Sequence, residues 1–172
     1  LMVGYAQHGL HQNVLECFWK MQEEGIQPDA VTYACILTTC GILGALQLGE
    51  SIDTEIRKQG ILHEDAILGN TLLNMYAMCG SFAKAEDVLR QHSARNVASW
   101  NALIAAYNQH GLAHEALKCF KKLQDEGVCP NAVTYLCTLK ACSAVGSLEV
   151  GEHVHVEARK QGLLRKDIAL AT

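Results

Sequence analysis

Apolar residues in the second half of the chain recur with the spacing of an α-helix and predict a helical hairpin. Trp100, Leu103 and Tyr107 fall at positions i, i+3 and i+7, which places them on one face of a first helix. Gly111 ends that helix, and a second periodic run over residues 116–123 predicts the second helix. Two short helices cannot bury both of their apolar faces alone, so hairpins of the same kind are expected to stack on this one.

The chain repeats itself with a shift of 102 residues, and this repetition supplies the neighbouring hairpins. Residues 1–9, LMVGYAQHG, return as residues 103–111, LIAAYNQHG, and the VTY at 31–33 returns at 133–135. In chain order the units are a partial unit 1–29, complete units 30–65, 66–96, 97–131 and 132–167, and a fragment 168–172. The complete units hold 36, 31, 35 and 36 residues. This pattern predicts one continuous all-α array, a solenoid of helix-turn-helix repeats in which each unit contacts mainly its neighbours.

Glycines mark the predicted ends of the helices. Glycine is the residue that ends a helix in the left-handed conformation at low steric cost. The first helices are predicted to end at Gly9, Gly44, Gly80, Gly111 and Gly146, and the second helices at Gly25, Gly60, Gly127 and Gly162.

Composition and charge argue against a membrane protein and against a protein that binds nucleic acid mainly by charge. The chain has 172 residues, of which 49% are hydrophobic, and only 2 prolines, so we expect a single globular array without linkers. No apolar stretch reaches the roughly 18 to 20 residues that span a bilayer, so no membrane partner is expected. The net charge of -4 argues against nucleic-acid binding by general electrostatic attraction, although a base-reading surface remains compatible with it. Because the chain opens and closes inside helical patterns, we expect it to be a piece of a longer protein.

Cysteine and histidine positions predict neither a metal site nor a cofactor. The 8 cysteines form no CxxC pair, and the 8 histidines show no HExxH spacing. Cys40 and Cys142 occupy the core-facing position that Tyr76 and Tyr107 fill in the other units, so the cysteines are expected to be small buried apolar residues. No nucleophile motif, phosphate-binding loop or recurring carboxylate pair is found, so we expect no enzyme activity.

Two recurring polar positions remain after core and charged surface are assigned. The last residue of each unit is Asp29, Asp65, Asn96, Asn131 or Asp167, and helix N-capping is a sufficient explanation for all five. The fifth residue is Asn70 in the 31-residue unit and Asn101 in the 35-residue unit. Asn101 lies past the cap, where helix propensity disfavours it, and the 36-residue units place Ala34 and Leu136 there. A role toward a ligand is therefore a second hypothesis for Asn70 and Asn101.

The unequal triplet of unit lengths, together with local sequence signatures, resembles the pentatricopeptide repeat proteins of the plant PLS class. SWNALIAAYNQHG and EALKCF resemble a P repeat, GALQLGESI and GSLEVGEHVH resemble L repeats, and GNTLLNMYAMCGS resembles an S repeat. On this resemblance the array reads as partial P (1–29), L (30–65), S (66–96), P (97–131), L (132–167) and the start of S (168–172).

The resemblance implies a right-handed α-solenoid that binds single-stranded RNA with one repeat for each base. It further implies the guide segment of an organellar cytidine-to-uridine editing factor, located in the mitochondrion or chloroplast. The implied partners are RNA and other editing-complex proteins, with no DNA. The zinc deaminase signature of such factors, HxE with PCxxC, does not occur in this chain, so a guide role without catalysis is expected.

The resemblance also assigns roles to individual residues. The fifth and last residues of a repeat would read one base, so Asn70 would act with Asn96, and Asn101 with Asn131, each pair favouring a pyrimidine, cytosine somewhat more than uracil. Asp29 and Thr172 would be halves of incomplete pairs, and the L-repeat pairs Ala34 with Asp65 and Leu136 with Asp167 would read a base loosely or not at all. Bases would be sandwiched between Val31, Ile67, Ala98, Val133 and Ala169. Met78 departs from the pattern, because S repeats commonly place a lysine there.

A tetratricopeptide array that binds proteins is the alternative. Trp100, Tyr107 and Phe120 also match that pattern. Ile104, however, stands where that family has glycine, and no unit here has 34 residues. The sequence therefore favours the RNA-binding interpretation.

Overall fold

The computed structural model describes residues 1–63, 65–91 and 96–163, which form α-helices and one short 3-10 turn without any strand. The helices are α1 (Met2–Gln7), α2 (His11–Glu23), α3 (Ala30–Leu43), α4 (Leu46–Gln59), α5 (Ala66–Met78), α6 (Phe82–Gln91), α7 (Val97–Gln109), α8 (Ala113–Asp125), α9 (Ala132–Val145) and α10 (Leu148–Lys160), with the 3-10 turn at Ile61–His63. Successive helices form hairpins, so the predicted all-α class is confirmed. The chain divides into two compact units, Leu1–Arg95 and Asn96–Thr172.

In the first unit, α3 and α5 form the centre. The helices α1, α2 and α4 pack on α3, α6 packs on α5, and the most extensive contact joins α3 to α5. Neither α3 nor α5 contains a charged residue, as expected for helices that are covered on most sides. The approach is close, since a Cβ atom on Gly41 of α3 would lie 3.3 Å from the Cα of Met75 in α5. The core of this unit includes Phe18, Tyr33, Ile36, Leu37, Leu72 and Tyr76.

The second unit repeats the arrangement, with four helices among its described residues, 96–163. α7 packs on α8 and α9, α8 packs on α9, and α10 packs on α9. Its core includes Trp100, Leu103, Ile104, Phe120, Leu123 and Tyr135, and the ring centroids of Phe120 and Tyr135 lie 6.2 Å apart. The side chain of Asn108 in α7 also donates to the backbone oxygen of Cys137 in α9, at 2.8 Å.

The predicted glycine stops are confirmed. The glycines with positive φ in the described residues are the nine that the sequence predicts, with φ between 67° and 74°. Gly44, for example, caps α3 in the left-handed region, and its N–H donates to Gly41 O at 3.3 Å. No other residue type in the described part of the chain adopts positive φ.

Replacing Gly44 with alanine is expected to lower the free energy of unfolding by about 1–2 kcal/mol, the usual cost of a Cβ in the left-handed region. A Cβ atom there would meet nothing within 4 Å, so the cost arises in the backbone alone. Gly4→Ala is the matched control, because Gly4 lies inside α1 with the same empty surroundings and a helical backbone. That variant should be neutral or slightly stabilising. Urea unfolding compares the two variants, and equal effects would contradict the left-handed stop.

The cysteines agree only in part with the expected burial. Cys40 and Cys142 are buried at 0% and 4% exposure, like Tyr76 and Tyr107, so their core position is confirmed. The thiols of Cys17, Cys35, Cys79 and Cys137 are half-buried. Cys129 is exposed in the loop between α8 and α9, so the expectation of burial is wrong for this residue. Its loop position lies outside the helical periodicity that places the other cysteines.

Candidate nucleic-acid interface

The last residues of four repeats, those that the structure describes, are N-caps. Oδ1 of Asp29 accepts from the backbone N–H of Thr32 at 2.8 Å, and Oδ1 of Asp65 accepts from that of Ile67 at 2.8 Å. Hydrogen bonds from the Thr32 hydroxyl and N–H hold the pKa of Asp29 below its ordinary value. Asn96 and Asn131 cap α7 and α9 in the same manner. The capping hypothesis is therefore confirmed for these four residues.

In the repeat at 97–131, the structure brings the fifth and the last residue into direct contact. Nδ2 of Asn101 donates to Oδ1 of Asn131 at 3.1 Å. The hydroxyl of Thr134, in the first turn of α9, donates to Oδ1 of Asn101 at 2.7 Å. Asn101 is 7% exposed and Asn131 is half-buried, so Asn131 is the more accessible member of the pair. These two side chains form a hydrogen-bonded polar pair at the start of α9.

The two residues of the other predicted pair, Asn70 and Asn96, lie in different compact units. Asn70 lies half-buried on α5 of the first unit. Asn96 begins the second unit, where its Oδ1 accepts from the backbone N–H of Ser99 at 3.1 Å and lies 3.2 Å from the Ser99 hydroxyl. Joint base reading by Asn70 and Asn96 stays a prediction. Asp167, Ala169 and Thr172 lie outside the described residues.

Apolar side chains are exposed at the first turns of the first helices. Val31, Ile67 and Val133 are 60%, 72% and 52% exposed, and Ala98 is also exposed. At the fifth positions of the two 36-residue units, Leu136 is exposed and Ala34 is half-buried. Exposed aliphatic side chains beside a polar pair offer surface on which a flat base can pack. Their role as sandwiching residues stays a prediction.

Charge is nearly absent from the first helices. Within α1, α3, α5, α7 and α9 the sequence places a single charged residue, Lys140. The second helices carry the cations, several of them in ion pairs, such as Lys84 with Glu50 and Lys118 with Glu115. Any ligand of the first helices must therefore be held by hydrogen bonds and apolar contact more than by attraction between charges.

One buried polar cluster in the first unit has a structural role. The hydroxyl of Tyr76 donates to Oδ2 of Asp53 at 2.8 Å, and Nε of Arg57 donates to Oδ1 of the same carboxylate at 2.7 Å. Burial, followed by the hydrogen bond to Asp53, raises the pKa of Tyr76. Because each carboxylate oxygen has a partner, the cluster satisfies its own buried atoms. In the described part of the chain, no three histidine, cysteine or acidic side chains are arranged to hold a metal ion.

Thr134 is the residue of this interface that sequence reasoning missed. The sequence does contain a recurring feature at this position. The third residue carries a hydroxyl in three units, as Thr32, Ser99 and Thr134. Helix capping explains a hydroxyl at this position, so its contact with Asn101, 33 residues earlier in the chain, is visible only in the folded structure.

Family comparisons match most of the chain to one kind of repeat. Residues 95–144 match the PPR repeat family, residues 1–42 match the pentatricopeptide repeat domain, and residues 70–91 match the PPR repeat. A mitochondrial pentatricopeptide repeat-containing protein of Arabidopsis thaliana is 37% identical over 95% of this chain and 24% of its own length. A chloroplastic one from the same plant is 32% identical over 95% of this chain and 30% of its own length.

Solved structures give the same result. The maize pentatricopeptide repeat protein PPR10 has a TM-score of 0.73 at 21% identity, over 94% of this chain and 24% of that one. The same protein in complex with an 18-nt psaJ RNA element has a TM-score of 0.72 at 25% identity, over 88% of this chain and 23% of that one. No helix in the described residues has the length and apolar character needed to cross a membrane.

This chain spans about a fifth to a third of the length of the proteins it resembles. The predicted helical-solenoid fold class is confirmed by the likeness to the maize protein. The matches favour the pentatricopeptide interpretation over the tetratricopeptide alternative. We therefore identify pentatricopeptide repeats in residues 1–42, 70–91 and 95–144 of this chain.

Proposed function

We propose that this chain binds single-stranded RNA sequence-specifically, with one repeat for each base, as the guide segment of an organellar cytidine-to-uridine editing factor. The hydrogen-bonded pair of Asn101 and Asn131 carries the proposal, since it places two amide groups together at the start of α9. Amides can donate to and accept from the Watson–Crick edge of an unstacked base. The RNA complex of the maize protein supports RNA as the ligand class.

The finer parts of the proposal come from the repeat pattern and from the relatives. Units of 36, 31 and 35 residues in succession support the PLS class. The mitochondrial and chloroplastic relatives support an organellar location. Other editing-complex proteins would be further partners, and the proposal gives this chain no catalytic step.

Two adjacent repeats would read two consecutive pyrimidines. Asn70 with Asn96 would read the 5′ base, and Asn101 with Asn131 the 3′ base, with the 5′ end of the strand toward the N-terminus. Val31, Ile67, Ala98 and Val133 would support the bases by apolar contact. The near absence of charge on the first helices fits recognition of base edges more than of phosphates.

Replacing Asn101 with threonine tests the proposal. Threonine beside Asn131 should move the preference of this repeat from pyrimidine toward adenine by about tenfold, a change of ~1.4 kcal/mol in binding free energy. The probes are short oligoadenylates with two adjacent central pyrimidines, in which the 3′ one is then varied over all four bases. Binding is measured by fluorescence anisotropy at one salt concentration, because phosphate contacts depend on salt.

Asn74→Thr is the matched control, since it makes the same chemical change at an exposed residue of α5. It should leave the base preference as it is. An Asn101→Thr protein that keeps its preference over all four bases would refute the assignment of the pair. A folded wild-type chain that binds none of the probes would refute RNA binding itself.

A further inference from the structure

We propose that Thr134 is a positioning residue that sets the orientation of both amides in the pair of Asn101 and Asn131, so that the pair offers only N–H donors to a base. This inference rests on the proposed function. It assigns the choice between cytosine and uracil partly to the third residue of the following repeat.

The backbone N–H of Thr134 determines how the Asn131 amide is turned. It lies 3.0 Å from the side-chain oxygen of Asn131, and a backbone N–H can only donate. The amide oxygen and nitrogen of an asparagine are hard to distinguish by shape, and hydrogen bonds decide between them. The atom of Asn131 that faces α9 must therefore be Oδ1, which leaves Nδ2 on the opposite side.

The orientation of Asn131 then determines that of Asn101. The Asn101 atom that lies 3.1 Å from Oδ1 of Asn131 must be a donor, so it is Nδ2. Oδ1 of Asn101 consequently faces the Thr134 hydroxyl, at 2.7 Å. The hydroxyl oxygen already accepts from the backbone N–H of Asn131 at 3.0 Å, and its hydrogen is free to be donated.

The hydroxyl hydrogen has two possible acceptors, and the geometry favours Asn101. Oδ1 of Asn131 is 3.1 Å away and already accepts two other hydrogen bonds, whereas Oδ1 of Asn101 is nearer at 2.7 Å. Thr134 is 0% exposed, so solvent does not compete for its hydroxyl. Without this donor, the oxygen of the buried Asn101 has no partner among the described residues.

Both amide oxygens are thus occupied inside the protein, and three amide hydrogens have no acceptor among the described residues. Two lie on Nδ2 of Asn131 and one on Nδ2 of Asn101. On the Watson–Crick edge, O2 is an acceptor in both pyrimidines and position 4 is an amino donor in cytosine but a carbonyl acceptor in uracil. N3 is an acceptor in cytosine, whereas in uracil it carries a hydrogen and is a donor. Amide donors that face N3 and O2 of the base therefore discriminate in favour of cytosine, and Thr134 maintains that state.

Thr134→Val removes the hydroxyl and keeps the shape of the side chain. The backbone N–H of residue 134 stays, so Asn131 keeps its orientation. Oδ1 of Asn101 loses its donor and is left buried without a partner among the described residues, so the Asn101 side chain can leave its contact with Asn131 and accept from N3–H of uracil. We expect the ratio of uracil to cytosine dissociation constants at the base read by this repeat to fall to about one. Thr134→Ser restores the hydroxyl and should restore the ratio.

Thr32→Val is the matched control for lost capping. Thr32 is the equivalent residue of the other L repeat, and its hydroxyl donates to Oδ1 of Asp29 at 2.6 Å. It contacts no base-reading asparagine in the described residues. This variant should leave the cytosine preference of the repeat at 97–131 unchanged.

The side-chain amide signals of Asn101 and Asn131 in ¹⁵N NMR spectra of the chain test the positioning step without RNA. Thr134→Val should shift both pairs of signals and Thr134→Ser should not.

Oligoadenylates with a central CC or CU then test specificity. A folded Thr134→Val protein with unchanged amide signals and an unchanged ratio overturns the inference, while wild-type failure to bind any probe refutes the proposed function instead. If Thr134→Val does not fold, Thr134→Ala serves as the variant, with the same expected ratio.

Discussion

Truncation of Trp100 to alanine is expected to lower the free energy of unfolding by about 3–5 kcal/mol. Trp100 lies on α7 at 3% exposure, within the core of the second unit. Its indole N–H has no hydrogen-bond partner among the described residues, so its contribution is almost entirely apolar packing. Loss of the ring leaves a cavity as well as removing buried area. Urea denaturation followed by far-UV circular dichroism measures the effect.

The chain supplies its own control in the second tryptophan. Trp19 lies on α2 at 46% exposure and meets Phe18 edge-on, with ring centroids 5.7 Å apart. Trp19→Ala should cost no more than about 1 kcal/mol, because half of its surface is already in water. If Trp100→Ala were nearly as mild as Trp19→Ala, the assignment of Trp100 to the packed face of a hairpin would be wrong.

Alkaline pH is expected to destabilise the fold by several kcal/mol through groups that are buried without charge. Burial raises the pKa of the Cys40 thiol to about 12 from its ordinary value of 9.0, and raises that of Tyr33 to about 12 from 10.0. Between the ordinary value and about 12, the folded state holds protons that the unfolded chain has released. The stability from these groups is therefore complete below about pH 9 and is lost as the pH rises toward 12.

Cys40→Ala removes one such group and should flatten the fall of stability above pH 9 by about 1.4 kcal/mol for each pH unit. The comparison uses urea midpoints at several values from about pH 8 to about pH 11. Cys129→Ala is the control, because this thiol is exposed and its removal should leave the slope unchanged. Parallel curves for wild type and Cys40→Ala would show that Cys40 ionises as readily in the folded protein as in the unfolded chain.

Much of the local structure was predictable because its causes lie within a few residues. Gly44 adopts φ of 67° at the end of α3, as the repeat pattern predicts, since one residue without a Cβ decides the stop. Cys40 is buried because it occupies the core-facing position of its repeat, which Tyr76 occupies in the next repeat. Asp29 and Asn131 cap the helices that follow them, which is a contact over three residues.

The spacing of residues along the chain does not predict burial in loops or contacts between distant residues. Cys129 lies in a loop, so helical periodicity says nothing about its burial, and it is exposed. Asn101 stood out in the sequence as a residue that capping could not explain. The sequence did not show that its side chain is buried, with both ends of the amide in use.

The sequence by itself determined the repeat lengths, the helical hairpins, the glycine stops and the residue types at the fifth and last positions, since these follow from short-range spacing and side-chain chemistry. Only the tertiary structure decided which atoms of those residues are left for a ligand. Stacking α9 on α7 brings Thr134 within 2.7 Å of Asn101 across 33 residues of chain. A hydrogen bond of that sequence separation depends on packing, and it determines which way each amide faces.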